Sequence, residues 1–268
     1  MKQYNGEKYI VSFTTFDKRF DNAAKMCFAL LSKQIYKNFH IVCTLYKDDY
    51  KKLAGNLKLL IDTDLIEVII AEKNLKPHLK YFYVMKKYYN KPIITVDDDI
   101  IYSNDLIKLL VEKYESLKYK SIISVVAPII KLSNDSVLDE KYWCKPACRL
   151  KSNDISYLAM AEGFGGILYP PVCFNNLDNE IKNIKNCLCH DDLFLKVLEL
   201  KNKIPVTQIS KDSNSLKRIA LKPVDTEYCL STRNLGMQYR NDMVRKWSSQ
   251  IVKYIKVIKN ERHNFINR

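Results

Sequence analysis

Two groups of carboxylates in this sequence could do chemistry. One is Asp97-Asp98-Asp99, which ends the apolar run Pro92-Ile93-Ile94-Thr95-Val96, and the other is Asp191-Asp192, directly after His190. Two unit charges about 4 Å apart repel by about 1 kcal/mol in water and about 4 kcal/mol at an effective dielectric of 20, so three successive acids at a sheet edge need a counter-charge. On an extended backbone Asp97 and Asp99 point to one side and Asp98 to the other. That spacing predicts a metal clip made by Asp97 and Asp99, whose hard oxygens suit Mg²⁺ or Mn²⁺ with water and phosphate completing the shell. The plainer reading is a solvated acidic turn ahead of the capping residues Ser103-Asn104-Asp105.

Asp191 and Asp192 open a stretch with apolar residues at helical spacing, so the amide dipoles of a first turn are one explanation for both. One capping acid would suffice. Two acids beside a histidine, following a glycine-rich stretch, make a candidate general base with an orienting neighbour. The chain holds six glycines, and three of them are Gly163, Gly165 and Gly166. Spending glycine so unevenly implies either positive φ or a close approach of ligand to backbone, read here as a wall beside a sugar, with a plain turn as the alternative.

The elements that must position these groups follow from periodicity. Residues 9–15, 39–46, 65–70 and 92–96 read as buried strands, and residues 21–34, 48–61, 76–89 and 105–118 as the helices between and after them, with Asp21 as a cap for the first. Alternation of strand and helix predicts an α/β fold, an open and mostly parallel sheet flanked by helices. In such sheets ligands bind beyond the carboxyl ends of the strands, where Thr14-Thr15 and Asp97-Asp98-Asp99 would both lie. Residues 121–126 and 205–209 read as further strands, and the segment up to Tyr157 as an irregular acceptor-side loop. Residues 210–235 read as polar and loop-rich. From Asn241 the pattern is helical again, with Val244, Trp247, Ile251, Ile255 and Ile258 on one face and Arg245, Lys246, Lys253, Lys256, Lys259 and Arg262 mostly elsewhere. Such a helix either lies on an anionic membrane or docks on its own domain with a solvated basic back.

Composition bounds the rest. At 268 residues, 47% of them hydrophobic, the chain can bury a sizeable core, and it has no apolar run near the ~20 residues of a membrane span. Residues 1–8 lack the apolar core of a signal peptide, so a cytoplasmic protein is expected. The eight cysteines show no framework spacing and read as reduced packing residues; Cys187-Leu188-Cys189-His190 lacks the second ligand pair of a structural zinc site. A net charge of +14 predicts attraction to anions without choosing among nucleotides, lipid headgroups and nucleic acid.

Taken together, Ser12-Phe13-Thr14-Thr15 through Arg19, Lys80, Thr95-Val96-Asp97-Asp98-Asp99-Ile100, Gly163 through Pro171 and Asp191-Asp192-Leu193-Phe194-Leu195 resemble a bacterial glycosyltransferase family of the GT-A fold, close to the family 2 type. The resemblance implies a catalytic domain over residues 1–242, with a nucleotide-binding half (1–118) and an acceptor-side half (119–242), followed by a basic amphipathic helix (243–268). It implies that Thr14, Thr15 and Arg19 border the base of a nucleotide-sugar, that Lys80 approaches the diphosphate, and that Asp97 and Asp98 lie at the nucleotide-sugar. Asp97 and Asp99 would hold Mn²⁺ or Mg²⁺. Gly163, Gly165, Gly166 and His190 would line the acceptor or sugar pocket, and Asp192, with Asp191 as fallback, would deprotonate the acceptor hydroxyl. The implied activity is inverting transfer from a nucleotide-sugar, UDP-linked by family preference, to a glycan or lipid-linked acceptor in bacterial surface polysaccharide or lipopolysaccharide synthesis. The basic helix would suit the inner face of the cytoplasmic membrane, and no nucleic acid is expected as partner. Rival readings are a metal-dependent protein acting on nucleic acid, a catalytically silent sugar-nucleotide or glycan-binding module, and a nucleotidyltransferase, the last lacking a glycine- and lysine-rich phosphate loop near its start.

Overall fold

The computed structural model describes residues 6–118, 120–152, 154–174, 176–209, 217–222 and 237–266. Its strands are β1 (Tyr9–Thr14), β2 (Phe39–Tyr46), β3 (Glu67–Ala71), β4 (Ile93–Thr95), β5 (Ile100–Ile101), β6 (Ile122–Ser124), β7 (Leu132–Ser133), β8 (Ser136–Val137), β9 (Ile155–Ser156), β10 (Ile167–Tyr169), β11 (Val206–Gln208) and β12 (Ile219–Ala220). The helices are α1 (Phe20–Lys33), α2 (Lys47–Tyr50), α3 (Gly55–Asp62), α4 (Leu79–Lys87), α5 (Leu106–Ser116), α6 (Ile181–Lys185), α7 (Asp191–Lys201) and α8 (Met237–Ile266).

Eight strands form the central sheet in the order β3-β2-β1-β4-β10-β6-β11-β9. The pairs β3–β2, β2–β1, β1–β4 and β6–β11 are parallel, while β10 runs antiparallel between β4 and β6 and β9 antiparallel at the edge. The open, mostly parallel α/β sheet is therefore as expected. The strands are apolar on both sides because both sides are covered. Tyr9, Val11, Phe13, Ile94, Ile123 and Leu168 pack with α1, α3 and α5. From the same strands, Ile122, Ile167 and Tyr169 face the opposite layer with α4, α7 and α8.

Several expectations change in detail. The helix expected over 48–61 is two pieces, because Gly55 takes φ +66° and starts α3 afresh. The one expected over 76–89 begins as a 3₁₀ turn, Lys76–His78, with Pro77 in it, and becomes α-helical at Leu79. Asp21 does not cap α1; it sits in the first turn, behind Arg19 at the N-cap. The region expected as loop over 210–235 contains β12, which pairs with β5; residues 210–216 and 223–235 lie outside the described residues, as do residues 1–5 and Cys229.

The C-terminal helix docks on its own domain. Val244, Trp247, Ile251, Val252, Ile255 and Ile258 are buried, and Trp247 meets Phe194 of α7 edge-to-face at 5.9 Å between ring centroids. Lys253, Lys256 and Lys259 are on the exposed back, while the side chain of Arg262 lies outside the described residues. The apolar face is thus spent on the core and is closed to a membrane. Trp247→Ala should cost about 3–5 kcal/mol, as large aromatic truncations in cores do, read as a lower urea midpoint at unchanged slope. Among the described residues no helix is long and apolar enough to cross a membrane.

Candidate active site

The triple acid lies beyond the carboxyl end of β4, but the backbone is no longer extended there. Asp98 and Asp99 form a turn between β4 and β5, which removes the alternation on which the two-apart argument rested. Cations sort the three acids. Lys80 Nζ contacts Asp97 at 3.1 Å, and Arg19 Nη1 contacts Asp98 at 2.9 Å and Asp99 at 3.1 Å. Arg19 also packs on the Phe16 ring, 5.4 Å from its centroid. The Tyr102 hydroxyl accepts the backbone N–H of Asp97 at 2.9 Å, and the Leu221 N–H donates to the carbonyl of Asp99 at 2.7 Å. Burial pushes the Asp98 carboxyl up to about 6 against the pull of Arg19, and pushes Asp99 up as well, with Asp97 adding to the effect.

Lys80 joins this turn to the second acid group. It is buried on α4, its carbonyl accepts the Ser12 hydroxyl of β1 at 2.6 Å, and its Nζ also reaches Asp191 Oδ2 at 2.8 Å. Neither acid acts as a helix cap: the N-cap of α7 is His190, without a side-chain capping bond. Asp192 Oδ1 instead accepts the backbone N–H of Gly163 at 3.0 Å. Burial works against the Lys80 charge, but Asp191, Asp97 and Asp192 outweigh it and hold the ammonium well above the ordinary lysine range. The neighbouring carboxylates are driven apart. Burial would raise both; Lys80 and His78 overcome it at Asp191 and hold that group low, whereas burial and the adjacent Asp191 charge push Asp192 well up.

The glycines explain how these pieces approach. A Cβ on Gly163 would sit 2.6 Å from Lys80 Nζ, closer than real Cβ atoms come, and 3.1 Å from Asp192 Oδ1, a tight contact. Gly166 takes φ +92° where the turn enters β10. The glycine turn is thus a close approach to the acids, and the segment after it is a central strand, which the sequence reading did not include.

Other expected residues divide. Thr15 is buried beside Asp98, whereas the Thr14 hydroxyl donates to the carbonyl of Thr44 at 2.7 Å and is committed to the sheet. His190 does not face the acids. Its ring is buried and lies 2.7 Å from Glu140, which also holds Arg240 of α8 at 2.5 Å. His78, absent from the sequence reading, donates from Nε2 to the Cys187 carbonyl at 3.0 Å and accepts the Tyr81 hydroxyl at Nδ1, 2.7 Å away. Burial lowers it to about 4, so it is a neutral brace under the start of α7.

The acids outnumber the cations that meet them. Among the described residues, the cations in contact with Asp97, Asp98, Asp99 and Asp191 are Lys80 and Arg19. The side chains of Asp97 and Asp99 are 30% and 31% accessible. Excess negative charge and two open carboxylates fit Mg²⁺ or Mn²⁺, which take one or two protein carboxylates and complete the shell from water and phosphate. Among the described residues no group of three or more His, Cys, Asp or Glu is preassembled for a metal.

No protein-family model matches the chain, and no curated protein matches it in sequence. Solved structures do match in shape. S. aureus TarS residues 1–349 superposes with a TM-score of 0.52 at 12% identity, covering 81% of this chain and 61% of that one. The same fragment in complex with UDP-GlcNAc gives 0.50 at 12% identity, covering 81% and 59%. A UDP-glucose pyrophosphorylase complexed with UDP-glucose reaches only 0.41 at 11% identity, covering 79% and 92%. The chain spans about three fifths of the TarS fragment. At this identity the likeness is one of fold, the GT-A-like open sheet described above.

Proposed function

We propose that the protein is a metal-dependent glycosyltransferase that moves a sugar from a nucleotide-sugar, UDP-linked by preference, to a hydroxyl of a glycan or lipid-linked acceptor, with inversion. The observation that carries the reading is the bridge made by Lys80. One buried ammonium contacts Asp97 of the triple-acid turn and Asp191 of the second pair, which brings a metal-type clip and a high-affinity proton acceptor, Asp192, to one place. The UDP-GlcNAc complex of the TarS fragment, the same fold, supports a nucleotide-sugar as donor.

In this reading each side chain has one task. Asp97 and Asp99 hold Mn²⁺ or Mg²⁺, which when bound neutralises charge on the departing nucleoside diphosphate. Lys80 supplies a fixed positive charge to the same region and keeps Asp191 ionised. Asp191 in turn raises the proton affinity of Asp192, so that Asp192 accepts the proton of the acceptor hydroxyl as the sugar is transferred. The Gly163 N–H holds Asp192 Oδ1, leaving Oδ2 for that proton. Arg19 fixes the turn beside the nucleotide.

The test is the thermal shift on adding UDP, GDP, dTDP and CMP, each with Mn²⁺ and with EDTA, on wild type and on Asp99→Ala. One diphosphate should stabilise the wild type by roughly 2.7 kcal/mol at 100 times its dissociation constant, only with metal, and should do so far less in the variant. Equal shifts in EDTA would remove the metal from the account.

The exposed cations of α8 support a peripheral role at an anionic membrane, by charge alone. Because the helix is part of the core, deletion is the wrong probe. Lys253→Glu/Lys256→Glu/Lys259→Glu should abolish co-sedimentation with anionic vesicles and leave folding intact, and unchanged sedimentation would reject the idea.

A further inference from the structure

A second charged cluster lies across the glycine turn from the acids. Arg218 stacks on Phe164, its guanidinium carbon 4.5 Å from the ring centroid. Its Nη1 is buried and has no hydrogen-bond partner among the described residues. That nitrogen occupies space opened by a glycine, since a Cβ on Gly165 would meet it at 3.2 Å. The backbone there is pinned: Ile219 pairs with Ile101, and Leu221 donates to Asp99, so Arg218 is held beside the strand that leaves the triple-acid turn.

Arg149 enters from the irregular acceptor-side segment, where its backbone bridges to Pro128. It is near enough to Arg218 for the two charges to oppose each other, and both feel the carboxyl of Glu162. Neither arginine forms an ion pair with a carboxylate among the described residues. Glu162 does not discharge the pair. It is buried, accepts the Cys144 thiol at 2.9 Å, and sits between two further charges, Arg240 and Asp192.

Two like charges brought together, one with a buried donor left over, are costly unless an acceptor arrives from beyond the described residues. The guanidinium fork matches oxygens arranged as in a phosphate or carboxylate, and stacking on Phe164 fixes its plane in advance. We propose that Arg149 and Arg218 form a seat for an anionic group of the substrate, a phosphate or a carboxylate, across the glycine turn from Asp191 and Asp192. The proposal rests on the nucleotide-sugar transferase reading and adds to it a substrate class. The group belongs either to the donor diphosphate or to an acidic sugar or acceptor. The place of Arg149 on the acceptor-side segment favours the second.

The experiment is calorimetric titration of the full chain with inorganic phosphate, with UDP, GDP and dTDP in Mn²⁺, and with glucose 6-phosphate, glucuronate and neutral glucose. Wild type is compared with Arg149→Gln, Arg218→Gln and Arg218→Lys. The glutamine variants should bind the relevant anions about 10–100-fold more weakly, consistent with loss of a charge-assisted hydrogen bond, while Arg218→Lys retains part of the affinity. A loss confined to nucleoside diphosphates assigns the seat to the donor, and a loss for glucose 6-phosphate or glucuronate assigns it to an acidic sugar or acceptor. Unchanged affinity for every anion in both glutamine variants overturns the seat even if metal-dependent nucleotide binding upholds the transferase reading. Arginine-dependent phosphate binding without any nucleotide binding keeps the seat and overturns that reading. No binding of any anion by wild type rejects both. Should Arg218→Gln fail to fold, Arg149→Gln and Arg218→Lys decide alone.

Discussion

Asp192→Asn is expected to lower sugar transfer by about 10²–10⁴-fold, the span a general base contributes, while leaving metal-dependent nucleotide affinity within about twofold. The amide keeps the shape of the carboxylate and loses only its ability to take a proton. A binding module would show no such split, because nothing in its function depends on proton transfer. The pH profile adds a second signature. Asp192 is held well above the ordinary carboxylate range by burial and by Asp191, so its conjugate base forms only as pH rises through that elevated value. Activity should therefore climb with pH along a limb displaced above the usual carboxylate region. Asp191→Asn removes the adjacent negative charge and should shift that limb to lower pH. An unmoved limb in Asp191→Asn would mean that another group is the base.

Lys80→Met should destabilise the fold by about 3–5 kcal/mol at neutral pH, the cost of stripping one partner from a buried ion pair. The methylene stem is nearly preserved, so the loss is electrostatic: Asp97 and Asp191 are left facing Asp192 without the cation between them. Adding Asp191→Asn should recover part of the loss, which a packing defect would not allow. The sign with pH follows from the shifted groups. Asp191 is held below the ordinary aspartate range, so its contribution is present above that range and is lost as pH falls through the depressed value. Lys80 is raised, so its contribution is complete at neutral pH and vanishes only far into the alkaline range. Urea midpoints for wild type and Lys80→Met should thus converge on acidification, with the gap widest near neutrality.

Much of the fold was legible because apolar runs and their punctuation are local. The strand expected over residues 39–46 is β2 to the residue, a mostly apolar run between Lys37-Asn38 and Lys47-Asp48. What failed locally was a glycine or proline read too lightly: Gly55 cut one helix and Pro77 delayed another. β10 escaped because Ile167, Leu168 and Tyr169 are only three residues wedged between the glycine turn and Pro170-Pro171, too few for alternation to register. Its place is fixed by neighbours far away in sequence, β4 and β6.

The site shows the same division. Acids, glycines and Lys80 stood out by type and spacing, but which cation would sit on which acid is a question of distance. Lys80 and Asp191 are far apart in the chain, as are Arg19 and Asp98, and only the sheet brings each pair together. Arg218 gave no signal, being one basic residue in a polar stretch. His190 misled because a histidine before two acids looks catalytic until Glu140, fifty positions earlier, is found to hold its ring.

The most direct measurement is of the products. Phosphorus NMR of the purified chain with Mg²⁺, in one set with sugar nucleotides with and without a mixed glycan acceptor pool and in another with nucleoside triphosphates and sugar 1-phosphates, identifies which bond is broken. A metal-dependent glycosyltransferase releases a nucleoside diphosphate, and that release should stop in EDTA and fall at least a hundredfold in Asp192→Asn, as loss of a general base would give. Release of pyrophosphate from a nucleoside triphosphate and a sugar 1-phosphate, unaffected by Asp192→Asn, would contradict it and make the chain a nucleotidyltransferase.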